Sequence, residues 1–290
     1  MEGNEPQPEE SEDNFYEKSE IFVDGKQAPL RIDKFLHTRM QSSRNRIQNG
    51  IKTGAITVDG KAVKANHKVK PGEHIQIVLP KPYSESIGLV PEDIPLDIRY
   101  EDDDLIVLHK PAGLVVHPGV GNWRGTLANG LAYYFGEDLP VLDGNPSSRI
   151  GLVHRIDKDT SGLLLIAKTD YAMTHLAKQF FDHTIERTYT ALVWGDLEHD
   201  QGTINGHIGR HDRQAKMQKV YPEGDYGKAA ITHYKVLERM YYCTLVECQL
   251  ETGRTHQIRV HFQHLGHPLF SDAKYGGDRI VKGTVYSKYK

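Results

Sequence analysis

The sequence predicts an α+β protein: a mixed, mostly antiparallel sheet domain preceded by a small basic α/β module. Three observations carry this. Beyond residue 100, strand-like and helix-like runs follow one another irregularly, without the strand–helix rhythm of a doubly wound parallel sheet. Charge is sorted along the chain: residues 1–20 hold eight acids and one Lys, net −7, whereas residues 31–80 hold ten Lys or Arg against Asp33, Asp59 and Glu73, net +7. Residues 81–290 are left at −3, and the stretch that joins the two parts, "KPYSESIGLVPEDIP", holds three prolines. Sorting of this kind fits a polyanion-binding module attached to another domain, with a plain solvated surface as the alternative.

The elements follow in order. Residues 1–20 are acidic and poor in aliphatics, as expected of a disordered tail. In the module, 30–80, "RIDKFLHTRM" places Ile32, Phe35 and Leu36 on one helical face. Ser42 or Ser43 is suited to cap a second helix, "RNRIQNGIK", with Ile47 and Ile51 in phase. That helix is expected to present Arg44, Arg46 and Lys52 to solvent, where cations on a rigid helix suit phosphate contacts. "AITVDGKAV" reads as a hairpin around Asp-Gly, and "HIQIVLP" closes the module. After a linker at 81–98, the main domain covers 99–290. There "DLIVLHK", "GLLLIAK", "RTYTALVWG", "AITHYKVLE" and "YYCTLVECQLE" read as strands. "TLANGLAYYF", "DYAMTHLAKQFFDH" and "RTHQIRVHFQHLG" read as helices, the last ending at Gly266.

Composition excludes several classes. No apolar run approaches the roughly 18 residues of a membrane span. The N-terminal stretch lacks the apolar core of a signal peptide. Cys243 and Cys248, five apart on one strand, point to opposite faces about 17 Å apart and cannot pair. A reduced, cytoplasmic chain is expected, with a monomer as the default. His256, His261, His264 and His267 crowd one region, but their spacing is irregular and Arg254 and Arg259 lie among them, so no metal site is expected. "HPGVGNWRGT" matches neither a P-loop nor a dinucleotide fingerprint, and Ser161 sits in no nucleophile elbow.

What remains is "LVHRIDKDTSGLLLIAK", residues 152–168. Asp157 stands among His154, Arg155 and Lys158, before a Thr-Ser-Gly corner and a buried strand. Adjacent cations favour the ionised form of a carboxylate even when it is partly desolvated, and such an acid at a strand end suits nucleophilic work. A structural salt bridge explains the same residues. In "LETGRTHQIRVH", Arg254, His256 and Arg259 follow a Thr-Gly turn at a helix start, a place for an anion or simply a solvated basic helix. Tyr189 shares a strand face with Ala191 and Val193, the usual place of a core tyrosine.

Two resemblances bear on these alternatives. "RIDKFL", "SSRNRIQNGIKTGAITVDGK" and "VKPGEHIQI" resemble the small RNA-binding domain named after ribosomal protein S-four, with Asp59 where that family commonly has Asn. "DDLIVLHKPAGLVVHP", "GLVHRIDKDTSGLLLIAKT", "RTYTALVWG", "LETGRTHQIRVH" and "GHPLFSDAKYG", in this order, resemble the ribosomal large-subunit pseudouridine synthases of the RluA/RluD type. Ile156 replaces their commoner Leu. The resemblance implies an isomerase that detaches uracil from ribose at N1 and reattaches it at C5, without cofactor or metal. It implies Asp157 as catalytic carboxylate, Arg259 as its paired cation, and Tyr189 as the base-stacking residue able to serve proton transfer. Arg155, His154, Arg254 and His256 are expected to contact RNA beside Arg44, Arg46 and Lys52 of the module. The expected substrate is structured large-subunit ribosomal RNA, with transfer RNA as the alternative. An idle RNA-binding factor and a nucleoside glycosidase are the competing functions.

Overall fold

A computed structural model describes residues 15–40, 42–80, 89–119, 121–136, 150–214 and 217–279. The chain divides into two compact units, Glu12–Thr184 and Ile185–Lys290. The division falls inside the stretch that the sequence assigns to one domain.

The first unit opens on β1 (Tyr16–Phe22), β2 (Leu30–Arg31), α1 (Ile32–Arg39) and α2 (Arg44–Lys52). Then come β3 (Ile56–Val58), β4 (Lys61–Ala62), β5 (Lys68–Val69) and β6 (His74–Pro80). Ser43 caps α2 by accepting the Arg46 N–H at 3.2 Å. Asp59 and Gly60 both have positive φ, 49° and 72°, as a tight hairpin turn requires. Ile32, Phe35, Leu36, Ile47 and Ile51 bury one helical face against Ile56, Ile75, Ile77 and Leu79 of the sheet. The sheet runs β1-β6-β3-β4, antiparallel throughout.

β1 corrects the tail expectation. Residues 16–20 form most of a seven-residue strand paired with β6 from Tyr16–Pro80 to Phe22–His74. Backbone pairing and the burial of Tyr16 outweigh the polar composition of "YEKSEIF". Residues 1–14 of the expected tail and 81–88 of the linker lie outside the described residues.

The unit continues with β7 (Asp97–Glu101), which takes the last two residues of the expected linker, and β8 (Leu105–Lys110). α3 (Leu127–Phe135), β9 (Gly162–Ala167) and α4 (Asp170–Phe181) complete it. β7, β8 and β9 form an antiparallel sheet. Thr126 and Asn129 cap α3 reciprocally, each side chain accepting the other's backbone N–H.

The second unit is one antiparallel sheet of β10 (Thr188–Trp194), β11 (Gln201–Arg210), β12 (Gln218–Tyr221), β13 (Lys228–Arg239) and β14 (Cys243–Leu250), packed by α5 (Gln257–His264). Its order is β10-β14-β13-β11-β12. The antiparallel α+β expectation thus holds: every ladder between named strands is antiparallel. β11 has no expected counterpart because "QGTINGHIGR" is too glycine-rich to read as a strand. Its glycines answer to neighbours instead: a Cβ on Gly202 would stand 2.7 Å from the Tyr234 ring across the ladder. Both cysteines lie on β14, free and buried.

Candidate active site

The Asp157 loop is fastened to β9 at both ends. Gly151, with φ 69°, lies so close to Ala167 that a Cβ would stand 1.9 Å from the Ala167 carbonyl oxygen, and its own carbonyl accepts the Ala167 N–H at 2.8 Å. His154 turns inward: its Nε2 accepts the Leu165 N–H at 2.9 Å and its ring stacks on Phe180 at 4.5 Å. The expectation that His154 contacts RNA is therefore corrected, since its ring is buried and spent on holding the loop. Ile156 is buried beside it, and the alternation leaves Arg155 and Asp157 half-exposed. The Thr160 N–H closes a turn on the Asp157 carbonyl.

The other face of this loop meets a residue that the sequence reading passed over. Lys110 is fully buried, and its Nζ donates to the carbonyls of Pro111, Leu114 and Lys158 at 2.8, 2.8 and 2.9 Å. Three acceptors match the three donors of an ammonium. Burial pushes its pKa down to about 8, with the charges of Asp159 and Asp157 working against the drop. Lys110 is accordingly protonated at neutral pH, while the Gly113 N–H ties the same Lys158 carbonyl at 2.8 Å. A signal existed: in "LIVLHK" Lys110 is in phase with the buried Ile106 and Leu108.

Tyr189 and Arg259 belong to the second unit. Tyr189 lies half-buried on β10 opposite Cys248 and packs on the cluster of Ala191, Val193 and Phe262, the shared face the alternation implies. Arg259, on α5, is gripped side-on by Asp272: Nε to Oδ2 is 2.7 Å and Nη2 to Oδ1 is 2.9 Å. Burial alone would raise the Asp272 pKa, but the Arg259 bonds and charge, with the N–H groups of Tyr275 and Lys274, carry it below the usual carboxylate value. This fork leaves Nη1 of Arg259 outside the Asp272 pair.

The expected helix start moves. α5 begins three residues after Arg254, because His256 takes a left-handed φ of 59° and the Gln257 side chain accepts the Arg254 N–H at 3.0 Å. Arg254 donates from Nε to the Ala229 carbonyl, and His256 Nδ1 meets the Tyr275 hydroxyl at 2.7 Å. Gly266 does end the helix, with the His267 N–H bonded to the Phe262 carbonyl. His261 is buried and pushed down to about 4 by desolvation, an uncharged core residue bonded to Thr232.

On the front module, Arg44 is exposed as expected. Arg46 is not: it is buried, bonded to Glu17 of β1 and to the Pro80 carbonyl of β6. Lys52 is exposed but lies over the Tyr171 ring of α4, 4.7 Å from its centre.

Comparison with known proteins decides what this arrangement belongs to. Residues 104–264 match the family model described as RNA pseudouridylate synthase. The chain belongs to the RNA pseudouridylate synthase family. Residues 30–75 match the S4 domain. An uncharacterized RNA pseudouridine synthase of Chlorobaculum parvum is 48% identical over 87% of this chain and 76% of its own. A ribosomal large subunit pseudouridine synthase D of Nitrosomonas europaea is 46% identical over 89% of this chain and 72% of its own. Among solved structures, human RNA pseudouridylate synthase domain containing 1 aligns with a TM-score of 0.51 and 27% identity, over 64% of this chain and 71% of that one. The protein is an isomerase acting on RNA.

Proposed function

We propose that this synthase converts uridines of large-subunit ribosomal RNA to pseudouridine with Asp157 as the catalytic carboxylate. The reaction breaks the N1–C1′ bond and forms a C5–C1′ bond; C5 loses its proton and N1 gains one, so nothing leaves the RNA but an exchangeable hydrogen. Asp157 is a half-exposed acid on a loop whose backbone is locked from both sides, and this carries the reading. Preorganisation of that kind suits a group that must meet one sugar or base atom. By the family resemblance, Tyr189 is the base-stacking residue, Arg259 the cation paired with the acid, and Arg155 a contact to the target nucleotide. Taking a uridine out of its stack costs a few kcal/mol, which stacking on an aromatic ring partly offsets. The front module, residues 30–80, adds phosphate contacts through Arg44 and its other exposed cations, and residues 99–290 perform the chemistry. A cytoplasmic monomer fits this reading, and the two buried thiols are consistent with a reducing compartment.

Release of tritium from C5-labelled uridine tests it. Large-subunit ribosomal RNA is expected to release label and transfer RNA to release none; the reverse pattern overturns the substrate assignment. Free uracil in place of released tritium would make the protein a glycosidase.

A further inference from the structure

The helix α4 touches the front module at both of its ends. In its first turn, Asp170 accepts a hydrogen bond from Asn45 Nδ2 at 3.2 Å, and the Tyr171 ring lies under the Lys52 ammonium. Asn45 and Lys52 are seven residues apart on α2, hence on one helical face. At its last residue, the Phe181 ring meets Tyr16 of β1 edge-on at 5.2 Å. The two contact points lie about 16 Å apart along a helix rising 1.5 Å per residue. Contacts at both ends, with the packing of α4 on α2 and β6 between them, resist rocking about either one.

β1 makes the second contact, beside the packing of α4 on α2 and β6. It lies outside the residues 30–75 that match the S4 domain, so it is an addition to that module's sheet. The ion pair from Glu17 to the buried Arg46 clamps β1 to α2, and Tyr16 is buried where it meets Phe181. Phe180, the neighbouring residue of α4, stacks on His154, which holds the Asp157 loop through the Leu165 N–H. One helix therefore touches the module on one side and the Asp157 loop on the other.

We propose that β1, α2 and α4 form a fixed joint that sets the distance and orientation between the front module and Asp157, and so selects which uridine is modified. RNA gripped by the module is presented to Asp157 at one offset, and uridines at other offsets stay out of reach. The joint acts through position rather than chemistry, and Tyr16, Asp170, Tyr171 and Phe181 are positioning residues. The inference rests on the synthase reading above.

Two variants test it. Asp170→Ala/Tyr171→Ala removes the first contact at a solvent-facing position, and Tyr16→Ala removes the second. Each is assayed on a long large-subunit ribosomal RNA transcript and on a short stem-loop too small to span the module and Asp157 together, with modified positions mapped on the transcript. The expected result on the transcript is a loss of kcat/KM of about ten-fold or more, in line with the cost of small misplacements, together with modification spread to additional uridines. On the stem-loop, kcat/KM stays within about two-fold of the parent. Equal losses on both RNAs overturn the proposal in favour of a purely structural contact, as does an unchanged transcript pattern. Absence of pseudouridine from both RNAs with the parent protein overturns the synthase reading instead, and the joint's role with it.

Discussion

The loop of Asp157 and the helix of Arg259 are held by mirror-image devices. A buried cation, Lys110, fixes the loop that carries an acid; a half-buried acid, Asp272, fixes the helix residue that is a cation. They work differently. Lys110 binds only main-chain carbonyls, so it sets the path of the loop and leaves the Asp157 carboxylate itself half-exposed. Asp272 binds the guanidinium directly and fixes the functional group in place. The first device acts on backbone path, the second on side-chain orientation.

The contrast can be broken at each end. Asp157→Asn, which keeps shape and removes charge, is expected to abolish tritium release while RNA affinity measured by filter binding persists; joint loss of binding would return Asp157 to a structural role. Asp272→Ala leaves a nearly buried guanidinium uncompensated and is expected to destabilise the protein by about 3 kcal/mol, read as a fall in denaturation midpoint. Lys110→Met strands three carbonyls and costs about 2 kcal/mol. Its mark is a kcat that falls with KM held, since the RNA-binding surface is untouched.

The pH dependence separates the two devices most finely. Asp272 has a lowered folded-state pKa, so its contribution is present above the ordinary carboxylate value and is lost as pH falls through the folded one. Lys110 has a folded-state pKa of about 8 against 10.5. Between those values the unfolded chain binds more protons, so the Lys110 contribution to stability rises with pH. Urea titrations are expected to lose the acid-side fall in Asp272→Asn and the alkaline rise in Lys110→Met. Identical limbs in variant and parent would show that neither group is perturbed as described.

Much of this was legible in the chain. The spacing of Ile32, Phe35 and Leu36 and the Ser43 cap gave two helices, because burial of one face and satisfaction of end N–H groups are local problems. Asp157 stood out through its neighbours and Tyr189 through the family blocks alone. Arg46 misled, because its partners, Glu17 of β1 and the Pro80 carbonyl of β6, are twenty-nine and thirty-four residues away. His154 misled for the same kind of reason: its partners Leu165 and Phe180 are eleven and twenty-six residues away.

The sequence by itself determined the helices, most of the strands and the sorted charge, all of which follow from short-range periodicity, capping and composition. Tertiary structure alone decided which polar groups are buried. Arg46, His154 and Lys110 resemble any other charged or polar residue along the chain. Burial depends on what packs from a distance, and once buried, each must find its partners or pay the full cost of desolvation.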